Sequence, residues 1–139
     1  MVTDQHPARV AAQRSMAAIE AGERDQWLSL FADDAIVEDP IGQSPLDPDG
    51  LGRRGKAAIA TFYDTVVSAN PVGFDIKSSY AAGDEVANVG VITTTFPDGS
   101  RAIVEGVYTY RVNADGLIVS LRAFWEFSAM TFEPPPSST

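Results

Sequence analysis

The sequence predicts an α+β fold, in which three helices pack on one face of a curved antiparallel or mixed β-sheet. Two observations carry this prediction. In the first half, apolar residues recur at helical spacing in three segments. In the second half the pattern changes to strands rich in Val, Ile, Thr and aromatics, separated by AGDE, PDGS and NADG. With 139 residues, the chain is expected to form one domain with one core.

The helices are marked by their ends. Pro7 suits the first position of the first helix, and Gly22 ends it. A short second helix is predicted over residues 23–32, and a third begins at Lys56 and stops before Pro71. Between them, residues 35–39 are predicted as a strand, and residues 40–55, with four glycines and three prolines, as a loop.

Four strands follow the helices, predicted over residues 74–80, 86–96, 101–112 and 117–127. They form an antiparallel meander because each separator is a short hairpin turn. Residues 1–6 and 133–139 are expected to be flexible termini. His6 is expected to be solvated, and the prolines of EPPPSST cannot donate ladder hydrogen bonds.

Composition excludes several classes of function. The formal charge of −9 repels phosphate backbones, so nucleic acid is not expected as a partner. No apolar run approaches the ~20 residues of a membrane span, and the N-terminus has no signal-peptide core, so a cytoplasmic protein is expected. The chain has no cysteine. Its acidic residues lack Ca²⁺-loop spacing, so no metal site is expected.

Period-2 alternation predicts which side chains face the interior. Tyr108 and Tyr110 lie on the apolar face of one strand, opposite Arg111. The last strand has an inner and an outer set. The inner set is Leu117, Val119, Leu121, Ala123, Trp125 and Phe127, and the outer set includes Ile118, Arg122 and Phe124.

The same alternation separates two adjacent carboxylates in the segment VEDPIG. If Val37 is buried, Asp39 points into the apolar interior and Glu38 points outward. An Asp before a Pro is often a plain turn initiator. Asp39 is therefore either a turn residue or a base in an apolar space.

Three segments, LFADDAIVEDPIG (residues 30–42), AAIATFYDTV (residues 57–66) and YRVNADGLIVSLRAFW (residues 110–125), resemble the Δ5-3-ketosteroid isomerases. That family belongs to the cone-shaped superfamily that includes nuclear transport factor and SnoaL-like proteins. The resemblance covers most of residues 8–127. It implies a steroid Δ-isomerase that moves a proton from C4 to C6 of a β,γ-unsaturated ketosteroid without a cofactor, and a homodimer formed through the outer face of the sheet.

By this resemblance, the general base falls on Asp39. The oxyanion-hole tyrosine of the first helix falls on Ser15, and the protonated aspartic acid of the family falls on Tyr108. A supporting tyrosine of the third helix is retained as Tyr63, whereas another corresponds to Phe31. The expected catalytic residues are therefore Asp39, Tyr108 and Ser15, with an altered oxyanion hole.

The expected ligand is a steroid or a similar bulky apolar ketone. The residues expected to bind it are Trp125, Tyr63, Phe31, Val37 and Tyr110. The donors available for the oxyanion are the Tyr108 phenol, the Trp125 indole and, through a water, the Ser15 hydroxyl. The outer-face apolar residues expected at the dimer interface are Ile103, Val107, Ile118 and Phe124.

Alternatives remain open at this point. The aromatics can be plain core residues, and the protein can be a non-catalytic binder of steroids or other lipophilic ligands. An epoxide hydrolase is disfavoured because no inward arginine is evident, Arg111 and Arg122 both falling on outer faces. The cluster GRRGK (residues 52–56) can be a loop face or can receive an anionic substrate tail such as a coenzyme A thioester.

Overall fold

A computed structural model describes residues 6–136 and confirms the α+β architecture. Its helices are α1 (Pro7–Glu20), α2 (Arg24–Ser29) and α3 (Lys56–Thr65). Its strands are β1 (Phe31–Glu38), β2 (Arg53–Arg54), β3 (Val72–Ala82), β4 (Glu85–Thr95), β5 (Arg101–Val112), β6 (Ile118–Phe124) and β7 (Thr131–Glu133). The helices pack on one face of a mixed sheet, against which much of the buried apolar core collects.

The sheet has the strand order β2-β1-β6-β5-β4-β3, and β7 continues along β5 beyond the end of β6. The pairs β3–β4, β4–β5 and β5–β6 are antiparallel, as the hairpin turns predicted. The pair β1–β6 is parallel, which makes the sheet mixed. This pairing brings the end of β1, where Asp39 follows, beside the end of β6, where Trp125 follows.

The early strand is longer than the sequence predicted. It begins at Phe31, within the segment expected to end the second helix, because the Leu30 carbonyl accepts a hydrogen bond from the Ile118 backbone N–H at 2.8 Å. The strand thus takes residues 31 and 32 from the predicted helix and also includes residues 33 and 34. Tertiary pairing outweighs the local preference for helix in such short segments.

Residues near both ends of the described chain make specific contacts. The Nδ1 atom of His6 accepts a hydrogen bond from the Ala8 backbone N–H, so His6 caps α1 and is not merely solvated, and Pro7 takes the first helical position. At the other end, Glu133 is part of β7 and pairs with Arg101. His6 and Glu133, which the sequence assigned to the termini, therefore have defined partners, and residues 1–5 and 137–139 lie outside the described part.

The outer face of the sheet differs from the prediction at one residue. Val112 pairs with Ile118 and Arg111 with Ser120, so Val119 is an extra residue that shifts the register. The bulge reverses the alternation, and Ile118 is fully buried in the core instead of facing outward. Phe124 remains outward and is 48% exposed. The homodimer stays a prediction.

Two glycines allow the strands and their connections to approach closely. A Cβ on Gly106 of β5 would lie 2.4 Å from the Phe124 carbonyl oxygen and 2.9 Å from Cβ of Trp125. Gly90, its partner on β4, is similarly crowded by the Asp75 carbonyl oxygen. The absence of a side chain at Gly90 lets β3 approach closely, and its absence at Gly106 lets the chain after β6 cross close over β5, which places Trp125 at the interior.

No helix within residues 6–136 has the length and apolar character needed to cross a membrane.

Candidate active site

The two adjacent carboxylates after β1 point to opposite sides of the sheet. Val37 is fully buried, and Asp39, two residues later, faces an internal cavity. Glu38 points the other way and binds Arg122 Nε at 3.0 Å. Pleating of the strand therefore separates the two side chains as the sequence indicated, and places one carboxylate in an apolar space.

The cavity has a volume of about 380 Å³ and lies between the helices and the concave face of the sheet. Its polar groups are Asp39, Thr94, Tyr108, Tyr110 and Trp125. The rest of the wall is apolar and comprises Met16, Ile19, Leu46, Phe62, Val66, Val67, Val72, Phe74, Ile92, Phe96, Ala102, Val104, Leu121, Ala123, Phe127, Met130 and Phe132. An apolar cavity with a few convergent polar groups is typical of a site for one small apolar molecule.

Asp39 lies at the cavity wall, and protein surrounds its side chain except on the side that faces the cavity. Because that side is open, the exposed fraction of Asp39 is intermediate. Burial raises the pKa of the Asp39 carboxyl, because the apolar surroundings disfavour its charged form. A hydrogen bond from the Trp125 indole, with a distance of 2.7 Å between Nε1 and Oδ1, opposes this rise, as does the nearby positive charge of Arg53.

The indole of Trp125 orients the Asp39 carboxylate. Trp125 has a single N–H donor, and in the structure that donor is directed at Asp39. It is therefore occupied and is not free to bind a developing negative charge on a ligand. Of the donors that the sequence offered for such a charge, the tyrosines remain.

Tyr108 and Tyr110 project from β5 into the cavity. The Tyr108 hydroxyl is buried without a hydrogen-bond partner among the described residues, which is unusual for a buried polar group. Burial and the charge of Asp39 raise the pKa of both phenols, so both remain protonated donors. The Tyr108 O–H is thus a donor that lines an apolar cavity beside a carboxylate.

Ser15 lies behind the cavity and does not border it. It is completely buried, accepts a hydrogen bond from Trp27 Nε1 at 2.9 Å and lies 3.2 Å from the Tyr110 hydroxyl. Either the Ser15 or the Tyr110 hydroxyl can be the donor of the second bond. Ser15 therefore connects the α1–α2 core to the cavity through Tyr110, and its position is that of a supporting residue.

Ser15→Ala should lower the free energy of unfolding by about 1–3 kcal/mol, because the Trp27 indole N–H would lose its acceptor in a fully buried place. Equilibrium urea unfolding measures this change. Ser29→Ala is the matched control, since the Ser29 hydroxyl binds the Gln26 carbonyl on the exposed surface of α2. Equal stability of the two variants would contradict the buried network.

Three other residues predicted to bind the ligand also lie behind the cavity wall. Phe31 is 1% exposed and makes an edge contact with Trp27, with ring centroids 4.7 Å apart. Tyr63 is 4% exposed, and its ring centroid is 5.4 Å from that of Trp27. Val37 is in the core beneath Asp39. Of the eight residues predicted for the site, Asp39, Tyr108, Tyr110 and Trp125 border the cavity.

Sequence reasoning placed Phe127 on the inner face but missed the part of the cavity wall that follows it. Met130 and Phe132 also border the cavity, although both lie close to a tail that was expected to fray. Phe132 is 70% exposed and pairs through its backbone with Ala102. The signal for this part of the wall is that Phe132, an apolar residue, lies opposite the buried Ala102. That signal can be recognised only once β7 is known to pair with β5, and the sequence did not reveal this pairing.

The structure also corrects the view that no arginine points inward. Arg111 and Arg122 do lie on the outer face, as expected, bound to Asp84 and Glu38. Arg53, in contrast, points inward from β2 with 19% of its side chain exposed, and its positive charge lowers the pKa of Asp39. In the sequence, Arg53 belongs to the basic cluster GRRGK, which was interpreted as a loop face. No group of three His, Asp or Glu side chains within residues 6–136 is arranged to hold a metal ion.

With the site defined, comparison with known proteins places the chain. The model of the SnoaL-like domain matches residues 12–121, which is most of the sequence. The chain belongs to the SnoaL-like family. Its fold, an open mixed sheet covered by three helices, is also the fold of solved structures of similar sequence.

Three proteins similar to this SnoaL-like domain are connected with steroids. A steroid Δ-isomerase of Nocardioides simplex is 31% identical over 126 residues, covering 91% of this chain and 95% of the relative. The crystal structure of a Δ5-3-ketosteroid isomerase from Mycobacterium sp. is 45% identical, with a TM-score of 0.88, covering 92% of this chain and 99% of the other.

The third relative is Rv0760c of Mycobacterium tuberculosis, whose crystal structure was determined in complex with estradiol-17β-hemisuccinate. It is 42% identical to this SnoaL-like domain, with a TM-score of 0.87, and the alignment covers 92% of this chain and 100% of Rv0760c. This chain and Rv0760c therefore share one fold over nearly their whole lengths.

Proposed function

We propose that this protein is a steroid Δ-isomerase that converts a Δ5-3-ketosteroid to its conjugated Δ4 isomer by cofactor-free intramolecular proton transfer. The observation that carries the proposal is the pairing of Asp39 with the unpartnered Tyr108 hydroxyl in one apolar cavity. The reaction requires a base beside the acidic carbon and a donor for the oxygen on which charge develops. Asp39 can serve as the base, and the free Tyr108 hydroxyl can serve as the donor.

In this mechanism, Asp39 makes both proton transfers. Its carboxylate takes the C4 proton of the β,γ-unsaturated ketone, which leaves a dienolate with its charge on the C3 oxygen. The Tyr108 O–H donates a hydrogen bond to that oxygen. The protonated Asp39 then delivers the proton to C6, and the double bond moves into conjugation with the ketone, so that one proton is removed and one returned.

The apolar surroundings assist this chemistry. Burial raises the pKa of Asp39, which makes its carboxylate a stronger base than an exposed aspartate once it is ionised. The Trp125 hydrogen bond holds the carboxylate in one orientation. Because both phenols resist ionisation, Tyr108 remains a neutral donor beside the carboxylate across the neutral pH range.

The size of the cavity favours a compact rigid ligand. Its volume of about 380 Å³ is at the lower end of the range typical of small-molecule sites, about 300–1,000 Å³. The relatives support a steroid as the ligand, since they include a steroid Δ-isomerase, a Δ5-3-ketosteroid isomerase and a protein in complex with estradiol-17β-hemisuccinate.

A second candidate is a non-catalytic binder of steroids or similar lipophilic ligands. It is favoured by Ser15, which occupies the position of the helix-one tyrosine in the isomerases that the sequence resembles and does not reach the cavity. A cavity without an effective oxyanion donor would retain its apolar walls and bind without turnover.

One assay separates the two candidates. Incubation with 5-androstene-3,17-dione should produce the ultraviolet absorbance of the conjugated enone at a rate proportional to protein concentration. Binding of the planar steroid equilenin, measured by calorimetry, serves as the parallel readout. Binding without an increase in absorbance would establish the binder, and neither signal would refute both candidates.

A further inference from the structure

Arg53 shares a face of the sheet with the proposed base. It lies on β2, where it pairs directly with Val37 of β1. Side chains of directly paired residues point to the same face, and so do residues two apart along a strand. Val37 is buried, so Arg53 and Asp39 both lie on the inner side of the sheet.

The guanidinium of Arg53 is held from three directions. Its Nη2 donates to the Leu46 carbonyl, and its Nη1 lies 3.5 Å from Oδ2 of Asp47. Its Cζ lies 5.0 Å from the centre of the Phe62 ring, which is cation–π geometry. The side chains of Arg53 and Asp47 are only 19% and 13% exposed. A partly buried cation with three fixed neighbours is screened little by solvent and has a defined position.

Asp47 is itself fixed, because its Oδ2 also accepts a hydrogen bond from the Gly52 backbone N–H at 2.8 Å. Gly52 has a φ of +77°, and a Cβ there would lie 2.9 Å from the Glu38 side chain. The loop between β1 and β2 therefore folds back tightly beside β1. Its packing returns Arg53 to the neighbourhood of Asp39.

Arg53 does not border the cavity, so it can act on a ligand only through another residue. Its neighbour Arg54 points the other way, is exposed, and donates to the Leu51 carbonyl. The two consecutive arginines thus differ in orientation while sharing their chemistry. This difference provides a matched control within the protein.

We propose that Arg53 is a positioning residue whose guanidinium, fixed by Leu46, Asp47 and Phe62, keeps the Asp39 carboxylate charged and available to accept a proton. The inference rests on the proposed function, in which Asp39 is the base. Arg53 would thereby set the lower end of the pH range in which the protein works.

The electrostatic balance at Asp39 agrees with this role. Burial raises the pKa of Asp39, and the Trp125 hydrogen bond and the Arg53 charge each lower it. Since a base must be deprotonated to act, kcat/KM should fall as the pH decreases through this pKa. Without the Arg53 charge, only the Trp125 hydrogen bond still counteracts the effect of burial, so the pKa of Asp39 rises. The decrease in kcat/KM then begins at a higher pH.

The other ionisable groups around Asp39 do not replace this charge. From β5, Tyr108 and Tyr110 face Asp39 as neutral phenols, and the negative charge of Glu105 raises the pKa of Tyr108. From the β1–β2 loop, the negative Asp47 is paired with Arg53. On the outer face of the sheet, Glu38 binds Arg122.

The direct test follows the titration of Asp39 by carbon NMR of selectively labelled aspartate carboxyls, with the signal assigned by its loss in Asp39→Asn. In Arg53→Gln, which keeps a donor for the Leu46 carbonyl but loses the charge, the midpoint should move to higher pH. In Arg54→Gln it should stay at the wild-type value. This readout needs no turnover, so it decides the role of Arg53 even if the protein proves not to be an isomerase.

The kinetic test compares pH profiles. For Arg53→Gln, the acidic limb of kcat/KM should shift to higher pH, with the greatest loss relative to wild type at acidic pH and a smaller loss above neutrality. Arg53→Lys retains a positive charge and should keep its Asp39 midpoint near that of wild type. A Lys variant that shifts as far as the Gln variant would assign the effect to packing and overturn the proposal.

Circular dichroism checks that each variant folds. If Arg53→Gln does not fold, Asp47→Asn takes its place, because it removes the counter-charge of Arg53. The Asp39 midpoint should then move to lower pH. An unchanged midpoint in whichever of these two variants folds would overturn the proposal.

Discussion

Replacing Asp39 with Asn should lower turnover of 5-androstene-3,17-dione by about 10²–10⁴, the usual contribution of a positioned general base. Asn has nearly the shape of Asp and can still accept the Trp125 hydrogen bond, but it cannot take a proton from C4. Equilenin binding should persist because the apolar wall is unchanged. The measurements are the initial rate of enone absorbance and the calorimetric affinity.

The control for Asp39→Asn is Glu38→Gln. Glu38 is the adjacent carboxylate, but it lies on the outer face and binds Arg122, so its loss should leave turnover near that of wild type. Asp39→Asn should also be no less stable than wild type at neutral pH. The raised pKa of Asp39 means that ionising it in the folded state costs free energy, which the variant avoids.

The sign of that stability effect follows from linkage. Below the pKa of an unfolded aspartate the carboxyl is protonated in both states, and the raised pKa has no cost. Between the unfolded pKa and the higher folded pKa, the unfolded state binds fewer protons than the folded state, so the cost grows as the pH rises and is complete above the folded pKa; Asp39→Asn does not have this cost. Turnover retained in a folded Asp39→Asn protein would rule Asp39 out as the base.

Tyr108→Phe should reduce turnover by about 10²–10³, the typical cost of removing one donor to a developing oxyanion. It should do so without destabilising the free protein. The Tyr108 hydroxyl is buried and unpartnered, so removing it leaves no other group unsatisfied and avoids the cost of burying a polar atom. Rate measurements and urea unfolding on the same variant test both statements.

Tyr110→Phe is the matched control for Tyr108→Phe, since it removes the neighbouring phenol on the same strand. The Tyr110 hydroxyl is bonded to Ser15, so its loss should lower the free energy of unfolding by about 1 kcal/mol and affect turnover less. If Tyr110→Phe instead loses the larger part of the activity, the donor is Tyr110, supported by Ser15. Equal small losses in both variants would favour the non-catalytic binder.

The strands of the meander and their inward faces could be predicted because they depend on local patterns. Pleating alone placed Asp39 inward and Glu38 outward, and put Tyr108, Tyr110 and Trp125 on one surface. The prediction was wrong at Ile118, where one unpaired residue, Val119, shifts the register. A bulge depends on the neighbouring strand, and a pattern within one segment does not reveal it.

The members of the site were harder to predict than the fold. The part of the chain that resembles the isomerases, most of residues 8–127, includes Ser15, Phe31, Val37 and Tyr63, yet these four residues lie behind the cavity wall. For Ser15 and Tyr63, which lie on helices, the position and rotation of the helix decide whether a buried side chain borders the cavity or packs one layer deeper. The spacing of apolar residues specifies which face of a helix is buried and leaves its depth undetermined.

By itself, the sequence determined the fold class, the inward direction of Asp39 and a resemblance to ketosteroid isomerases, because hydrophobic periodicity and a compact motif are local properties. Only the tertiary structure decided the partners of that carboxylate. Trp125 reaches Asp39 from 86 residues away in sequence, and Arg53 returns to it through a glycine- and proline-rich loop. Such contacts arise from strand pairing and loop packing between distant segments, and these set the charge and orientation of the proposed base.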